Sequence, residues 1–176
     1  MPQLIKNRAV VDDRWTLLRE AAELSDLAAD TPQIVPLAFW LAHRDALVAR
    51  GDIGVWLAPV DDPATLAADV GALPVIAVDF PSFTDGRGYS IGRMLRDHHG
   101  FTGELRAVGD ILRDQLFALA ECGFDAFLIR ADKDAAAALA GLDDFDRIYA
   151  STSRRPQPWF RQRGEASGGG PSGTTS

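Results

Sequence analysis

Apolar and polar positions alternate between two periods along this chain. Leu4-Ile5 and Ala9-Val10-Val11 flank Asn7-Arg8, which predicts a short N-terminal β-hairpin over Gln3 to Val11. The stretch after Trp15 carries no decisive period. Leu37, Trp40, Leu41, Leu47 and Val48 recur at roughly helical spacing before Gly51, which predicts a helix over 37–50. A repeating unit starts at Gly54. Val55-Trp56-Leu57 reads as a strand, followed by a helix capped by Asp61 or Asp62, with Pro63 at its start and Gly71 at its end. Val75-Ile76-Ala77-Val78 is continuous and largely β-branched, as a strand buried on both faces should be. A polar loop from Asp79 to Tyr89 leads to Ser90 as the cap of a helix with Ile91, Met94 and Leu95 on its apolar face. Leu105 to Val108 predicts a third strand, with Asp110 capping a helix whose buried stripe is Leu112, Leu116 and Leu119. Phe124 to Ile129 predicts a fourth strand, Asp134 to Leu139 a last helix, and Phe145 to Tyr149 a short final strand.

Four strand–helix units in succession predict an α/β fold with a mostly parallel sheet, because right-handed crossovers place helices on sheet faces. Four units are too few for a complete eight-fold barrel. The sheet is therefore open, or half-barrel-like. Residues 1–150 make one α/β domain. Residues 151–176 form a tail, first basic and aromatic (Arg154, Arg155, Trp159, Phe160, Arg161, Arg163) and then Gly/Ser-rich. The Gly/Ser part has too little apolar surface to offset the entropy of ordering it. The basic part reads as a solvated tail or as a docking segment.

Composition narrows the function classes. With 18 Lys plus Arg against 25 Asp plus Glu, the chain carries a formal charge of −7, a poor match to nucleic acid or anionic membranes. The single cysteine, Cys122, excludes an internal disulfide, an all-thiolate zinc site and an iron–sulfur cluster held by this chain alone. It precedes a helix C-terminus, where the dipole raises a thiol pKa, so packing is its simplest role. Met1 to Asn7 lacks a signal-peptide pattern, and the apolar run from Ile34 to Ala42 is far short of the ~20 residues that span a bilayer. A cytoplasmic protein is expected. His43, His98 and His99 have no metal-ligand spacing, and the residues assign no cofactor.

Ligands of parallel sheets bind beyond the carboxyl ends of the strands. The longest polar loop at such an end carries Asp79, Thr84, Asp85, Gly86, Arg87, Gly88, Tyr89 and Ser90, with Arg93 in the helix that follows. Glycines that admit close backbone approach, two arginines and a helix N-terminus make a candidate oxyanion or phosphate site. The alternative is local pairing, Arg87 with Asp85 and Arg93 with Asp97. The spacing Gly86-x-Gly88-x-x-x-Gly92 departs from a dinucleotide loop. A second cluster holds Arg106, Asp110 and Arg113, with Arg130 at the end of the fourth strand. Arg106 lies within a short buried strand and needs a partner. Either Glu104 supplies one, or Arg106 points into the site beside the Asp79 loop.

The chain resembles a bacterial family of domains of unknown function, family 934. The resemblance rests on Gly54-Val55-Trp56-Leu57-Ala58-Pro59, the run from Val78 to Ser90, Gly103 to Asp110, Leu112 to Leu116 and Cys122 to Phe127. It covers most of residues 1–150. Family members commonly have Ala where Gly92 precedes Arg93 here, which loosens the first helical turn. The resemblance implies a link to assimilatory sulfite reduction through gene neighbourhood, and an oxidoreductase component. It supplies no catalytic residues. Sulfite reduction itself moves six electrons through siroheme and an iron–sulfur cluster, which one cysteine cannot house. The expected role is an accessory that binds a small oxyanion, or the reductase or its electron donor, at an Arg87/Arg106 edge. A stand-alone α/β enzyme on a phosphate-bearing metabolite and a non-catalytic scaffold are the alternatives. In the enzyme reading Asp79, Asp85 or Asp110 is acid or base, and Arg87 or Arg106 the electrophilic clamp.

Overall fold

The computed structural model of the chain describes residues 3–130 and 132–143. Strands β1 (Gln3–Lys6) and β2 (Ala9–Asp12) pair antiparallel. Asn7 and Arg8 turn between them with φ of 49° and 63°, the positive values that a tight two-residue hairpin loop requires. There follow β3 (Thr16–Leu17), β4 (Gln33–Pro36), α1 (Leu37–Leu47), β5 (Ile53–Leu57), β6 (Val75–Phe80), α2 (Arg87–Asp97), β7 (Glu104–Gly109), α3 (Leu116–Glu121), β8 (Ala126–Leu128) and α4 (Ala135–Leu139).

All eight strands join one sheet in the order β2-β1-β8-β7-β6-β5-β4-β3. From β3 to β8 each strand pairs parallel with the next in the chain. Every crossover therefore steps the same way, and right-handed connections then put the helices on one face. The chain also dictates curvature. Asp12 ends one edge strand and Thr16 begins the other, four Cα steps apart, which reach at most about 14 Å. A flat eight-stranded sheet would separate its edges by roughly 34 Å at a spacing of ~4.8 Å. The sheet instead curls into an open half-barrel, with helices on its convex side.

The two faces follow the period-2 alternation of the strands. On β6, Ile76, Val78 and Phe80 enter the large core beneath the helices with Leu95, Leu105 and Leu119. Val75 and Ala77 face the concave side, in a smaller cluster with Ile34, Val108, Trp15, Leu17 and Trp56. The concave cluster exists because the segment after β2 crosses that face. Asp13 Oδ1 accepts from the Trp15 amide at 3.0 Å, while Asp13 Oδ2 meets Arg106 Nη1 at 2.8 Å. Trp56 Nε1 then donates to the Leu18 carbonyl at 2.9 Å.

Several sequence expectations are corrected here. Two further strands, β3 and β4, precede the four strand–helix units. The helix expected after Asp62 is a single 3-10 turn, Pro63–Leu66, although Asp62 does cap it by accepting from the Ala64 amide. Helix α2 starts at Arg87, three residues before Ser90, so Ser90 is inside the helix and caps nothing. The helix expected from Asp110 is a 3-10 turn at Arg113–Gln115 leading into α3, and Asp110 is not its cap. Gly92 is no loosening defect: a Cβ there would lie 2.3 Å from the Phe124 ring, so the glycine lets α2 seat on that side chain. The Phe145 to Tyr149 strand and the tail from 151 lie outside the described residues.

Two polar ties hold the helical side away from the candidate site. Arg96 donates to the carbonyls of Gly123 (2.9 Å), Phe101 (2.7 Å) and Gly103 (2.9 Å) and to Asp125 (3.0 Å), binding the amino-terminal ends of β7 and β8 to α2. Asp69, 2 % exposed, accepts from Trp40 Nε1 at 2.8 Å and Arg44 Nε at 2.6 Å. The Arg44 hydrogen bond, and next the Trp40 indole, hold its carboxyl below the usual range against the opposing effect of burial. A depressed folded pKa gives stability that is complete above the unfolded value near ~3.9 and is lost as pH falls through the folded one. Asp69→Ala should cost about 1–3 kcal/mol at pH 7, since it orphans a buried indole N–H. The gap to the wild type should narrow below about pH 4. Thermal melts from pH 7 to pH 2 check both; a gap independent of pH would contradict the assignment.

Candidate functional site

The carboxyl ends of β6, β7 and β8 surround a pocket of ≈ 490 Å³. Arg19, Asp79, Asp110 and Arg130 form its polar wall, and Phe80, Pro81 and Gly109 its remaining lining. Strand parity places each group. Asp79 is one residue from the end of β6 and shares the concave parity of Val75 and Ala77. Gly109 ends β7 with φ of +102°, and a Cβ there would lie 2.4 Å from the Phe80 carbonyl oxygen and 2.9 Å from Asp79 Oδ1. Only a glycine permits that approach. The Asp110 amide donates to the same Phe80 carbonyl at 2.7 Å, which fixes the next side chain over the pocket.

Two ion pairs face each other across this rim. Arg19, two residues past β3, reaches Asp79 Oδ1 with Nη1 at 2.7 Å and lies over the Trp56 ring at 5.3 Å. The contact is one of charge, because no donor hydrogen among the described residues is aligned on that oxygen. Opposite, Arg130 Nη1 donates to Asp110 Oδ1 at 2.9 Å, and its Nε and Nη2 donate to Asp132 at 2.9 and 3.2 Å. Asp110 first, then Asp132, push the Arg130 pKa up through these hydrogen bonds. Asp110 Oδ2 also accepts from the Phe83 amide at 3.3 Å, and Gln115 Nε2 donates to the Phe83 carbonyl at 3.2 Å. The β6–α2 loop is thereby pinned to the start of the β7–α3 connection.

Of the residues singled out in the sequence, Asp79, Asp110 and Arg130 come together at this rim. The expected Arg87/Arg106 edge does not form. Arg106, 1 % exposed, sits on the concave face in mid-strand. Its Nε and Nη2 meet Glu104 at 2.8 and 2.7 Å and its Nη1 meets Asp13, so its charge is consumed inside the half-barrel. Arg87 lies on the surface with Nη2 at 2.6 Å and Nε at 3.0 Å from Asp85, the local pairing that the sequence held as the alternative. That arginine first, then the Arg87 amide, lower the Asp85 pKa. Gly86 is the N-cap of α2 without a side-chain bond, and Gly88 is buried against the Phe80 ring, which a Cβ would meet at 2.4 Å. Thr84 bonds Ser82 at 3.0 Å. Burial raises the Tyr89 pKa, and its hydroxyl accepts from Gln115 at 3.4 Å. Ser90 and Arg93 lie within α2, outside the rim pocket. Arg113 borders a separate pocket of ≈ 330 Å³ with Ile111, Ile129 and Lys133. Burial raises the Cys122 pKa, as a packing role requires.

Arg19 was not singled out in the sequence. Its signal was the alternation Trp15, Leu17, Arg19, which carries two apolar residues and then a charge on one strand face. Among the described residues no group of three or more His, Cys, Asp or Glu is arranged to hold a metal ion, and no helix is long and apolar enough to cross a membrane.

A sequence-family model described as "Bacterial protein of unknown function (DUF934)" matches residues 54–160. The match takes in Asp79, Gly109, Asp110 and Arg130 and runs past Tyr149, where the resemblance read from the sequence stopped. Asp13 and Arg19 precede it. No curated protein matches the chain.

Proposed function

The chain belongs to the DUF934 family of bacterial proteins, and from that premise we propose that it serves assimilatory sulfite reduction as an accessory, binding a small oxyanion-bearing ligand at the rim between Arg19 and Arg130. The observation that carries the ligand half is the pair of guanidiniums at the carboxyl ends of parallel strands, with side chains still 48 % and 44 % exposed. A planar guanidinium donates to an oxyanion through two parallel N–H groups, and the carboxyl ends of a curled parallel sheet are where such folds keep their ligands. The pathway half rests on the family resemblance and its gene neighbourhood. In it, sulfite reductase or its electron donor is the partner.

Calorimetric titration of sulfite, sulfate and phosphate tests the ligand. Arg19→Ala and Arg130→Ala should each weaken the bound anion about 10- to 100-fold, the equivalent of losing one charge-assisted hydrogen-bonded contact. Binding that neither substitution changes would overturn the site. A deletion strain tests the pathway: growth on sulfide or cysteine but not sulfite is expected, and normal growth on all three would remove the assignment.

A second reading is favoured by one observation. The Asp79 carboxylate is largely buried at a strand end, and among the described residues its Oδ1 meets Arg19 without an aligned donor hydrogen, which leaves it open to exchange a proton with a ligand. Turnover of a phosphate-bearing metabolite that Asp79→Asn abolishes without weakening binding would establish it.

A further inference from the structure

The charges around the rim pocket do not suit a simple anion. Arg19 already has Asp79 at 2.7 Å, and Arg130 already has Asp110 and Asp132 at 2.9 Å. The pocket wall therefore sets two guanidiniums against two carboxylates, with Asp132 outside it as a further partner of Arg130. An incoming anion that takes either guanidinium must displace a carboxylate and leave it facing the ligand, at a site whose charges are already matched before the ligand arrives. The cost is largest at Asp79, where little water can replace the lost partner: its side chain is 12 % exposed. A ligand that brings its own cation meets no such cost. Its anionic group takes a guanidinium, and its ammonium takes the carboxylate released.

We infer that the rim pocket recognises a zwitterion, a small molecule carrying an oxyanion at one end and an ammonium group at the other. The oxyanion exchanges into the Arg19 or Arg130 pair, and the ammonium is received by Asp79 or Asp110. This rests on the proposed ligand site and narrows its substrate class from anions to amino-substituted anions. A pocket of ≈ 490 Å³ accommodates such a molecule together with water.

The test uses the full chain and chemically matched probes, with calorimetry and intrinsic tryptophan fluorescence, to which Trp56 beneath Arg19 contributes, as readouts. Taurine and 3-aminopropanesulfonate carry both charges, ethanesulfonate only the anion and ethylammonium only the cation. At least one zwitterion should bind 10-fold or more tighter than ethanesulfonate and ethylammonium. In Asp79→Asn or Asp110→Asn that advantage should shrink to about threefold or less, while ethanesulfonate binding is kept or improved. Circular dichroism confirms that the variants are folded. If ethanesulfonate or sulfite binds as tightly as both zwitterions, and Arg19→Ala or Arg130→Ala weakens it, the anion site stands and the zwitterion inference is overturned. If no probe, sulfite and phosphate included, shows binding that depends on these arginines, the ligand site itself falls.

Discussion

Arg106→Ala should lower the stability of the chain by about 3–5 kcal/mol, because it removes the cation from a buried ion cluster and leaves its carboxylates behind. Arg106 is 1 % exposed, Asp13 7 % and Glu104 8 %. Lys6 Nζ lies 2.7 Å from Glu104 and partly compensates it. Among the described residues Asp13 meets no such second cation, only the Trp15 amide. The loss therefore falls on the segment that crosses the concave face, and with it on the Trp15 and Leu17 packing that holds the half-barrel's inner cluster together. Urea unfolding at pH 7 measures the effect. A companion variant, Arg106→Met with Asp13→Leu and Glu104→Leu, should recover most of it, since an apolar replacement of a buried ion cluster is neutral or stabilising where a half-removed one is not. A loss below 1 kcal/mol in Arg106→Ala would show that the cluster is not holding the crossing. At a temperature where the variant is folded, rim-ligand affinity should be unchanged, which separates the role of Arg106 from those of Arg19 and Arg130.

Arg106 also shows where sequence reasoning reached and where it stopped. A charge in the run Leu105-Arg106-Ala107-Val108 announces a partner, and Glu104, two positions away on the same face, is a partner the local pattern can offer. Asp13 is 93 residues distant, and nothing in a period of 2 or 3.6 reports a contact of that range. The strands that were legible, β5 to β8, are mostly apolar runs, broken in β7 by Arg106. The two-residue β3 is too short to carry a period, and β4 runs through Pro36 directly into α1, so six parallel strands read as four. The choice between an open sheet and a half-barrel hung on those missing strands, because the three residues between β2 and β3 force the curl. Asp79, Asp110 and Arg130 were legible as strand-end polar residues. The role of Asp110 was not: an aspartate ahead of an apolar stripe reads as a cap, whereas its carboxylate turns outward to Arg130 and the Phe83 amide. Arg19 was lost with β3, and the sequence pointed to Arg87 and Arg106, which the fold pairs separately, with Asp85 and with Glu104 and Asp13.

Gly109→Ala should be the most damaging single-methyl change at the rim, costing about 2–6 kcal/mol. Two effects combine. A φ of +102° is strained for any L side chain, by roughly 1–3 kcal/mol. In addition, the new Cβ would sit 2.4 Å from the Phe80 carbonyl oxygen and 2.9 Å from that carbonyl carbon and from Asp79 Oδ1. Backbone cannot swing aside as a side-chain tip does, so β6 and β7 must part at their carboxyl ends, at an overpacking cost of about 1–3 kcal/mol. The 2.7 Å bond from the Asp110 amide to Phe80 breaks with them. Gly100→Ala separates the two effects: Gly100 also has positive φ, +65°, with nothing within 4 Å of the added Cβ, so it should lose only about 1–2 kcal/mol, the cost of a left-handed backbone alone. The two variants should also divide on function. Gly109→Ala moves Asp79 and Asp110 relative to each other, so rim-ligand affinity should fall at least 10-fold at a temperature where the variant is still folded. Gly100→Ala, at the far end of α2, should bind as the wild type does. Equal losses of stability in the two variants, or an unaltered ligand affinity in Gly109→Ala, would show that the close approach of β7 to the Phe80 carbonyl does not set the geometry of the rim.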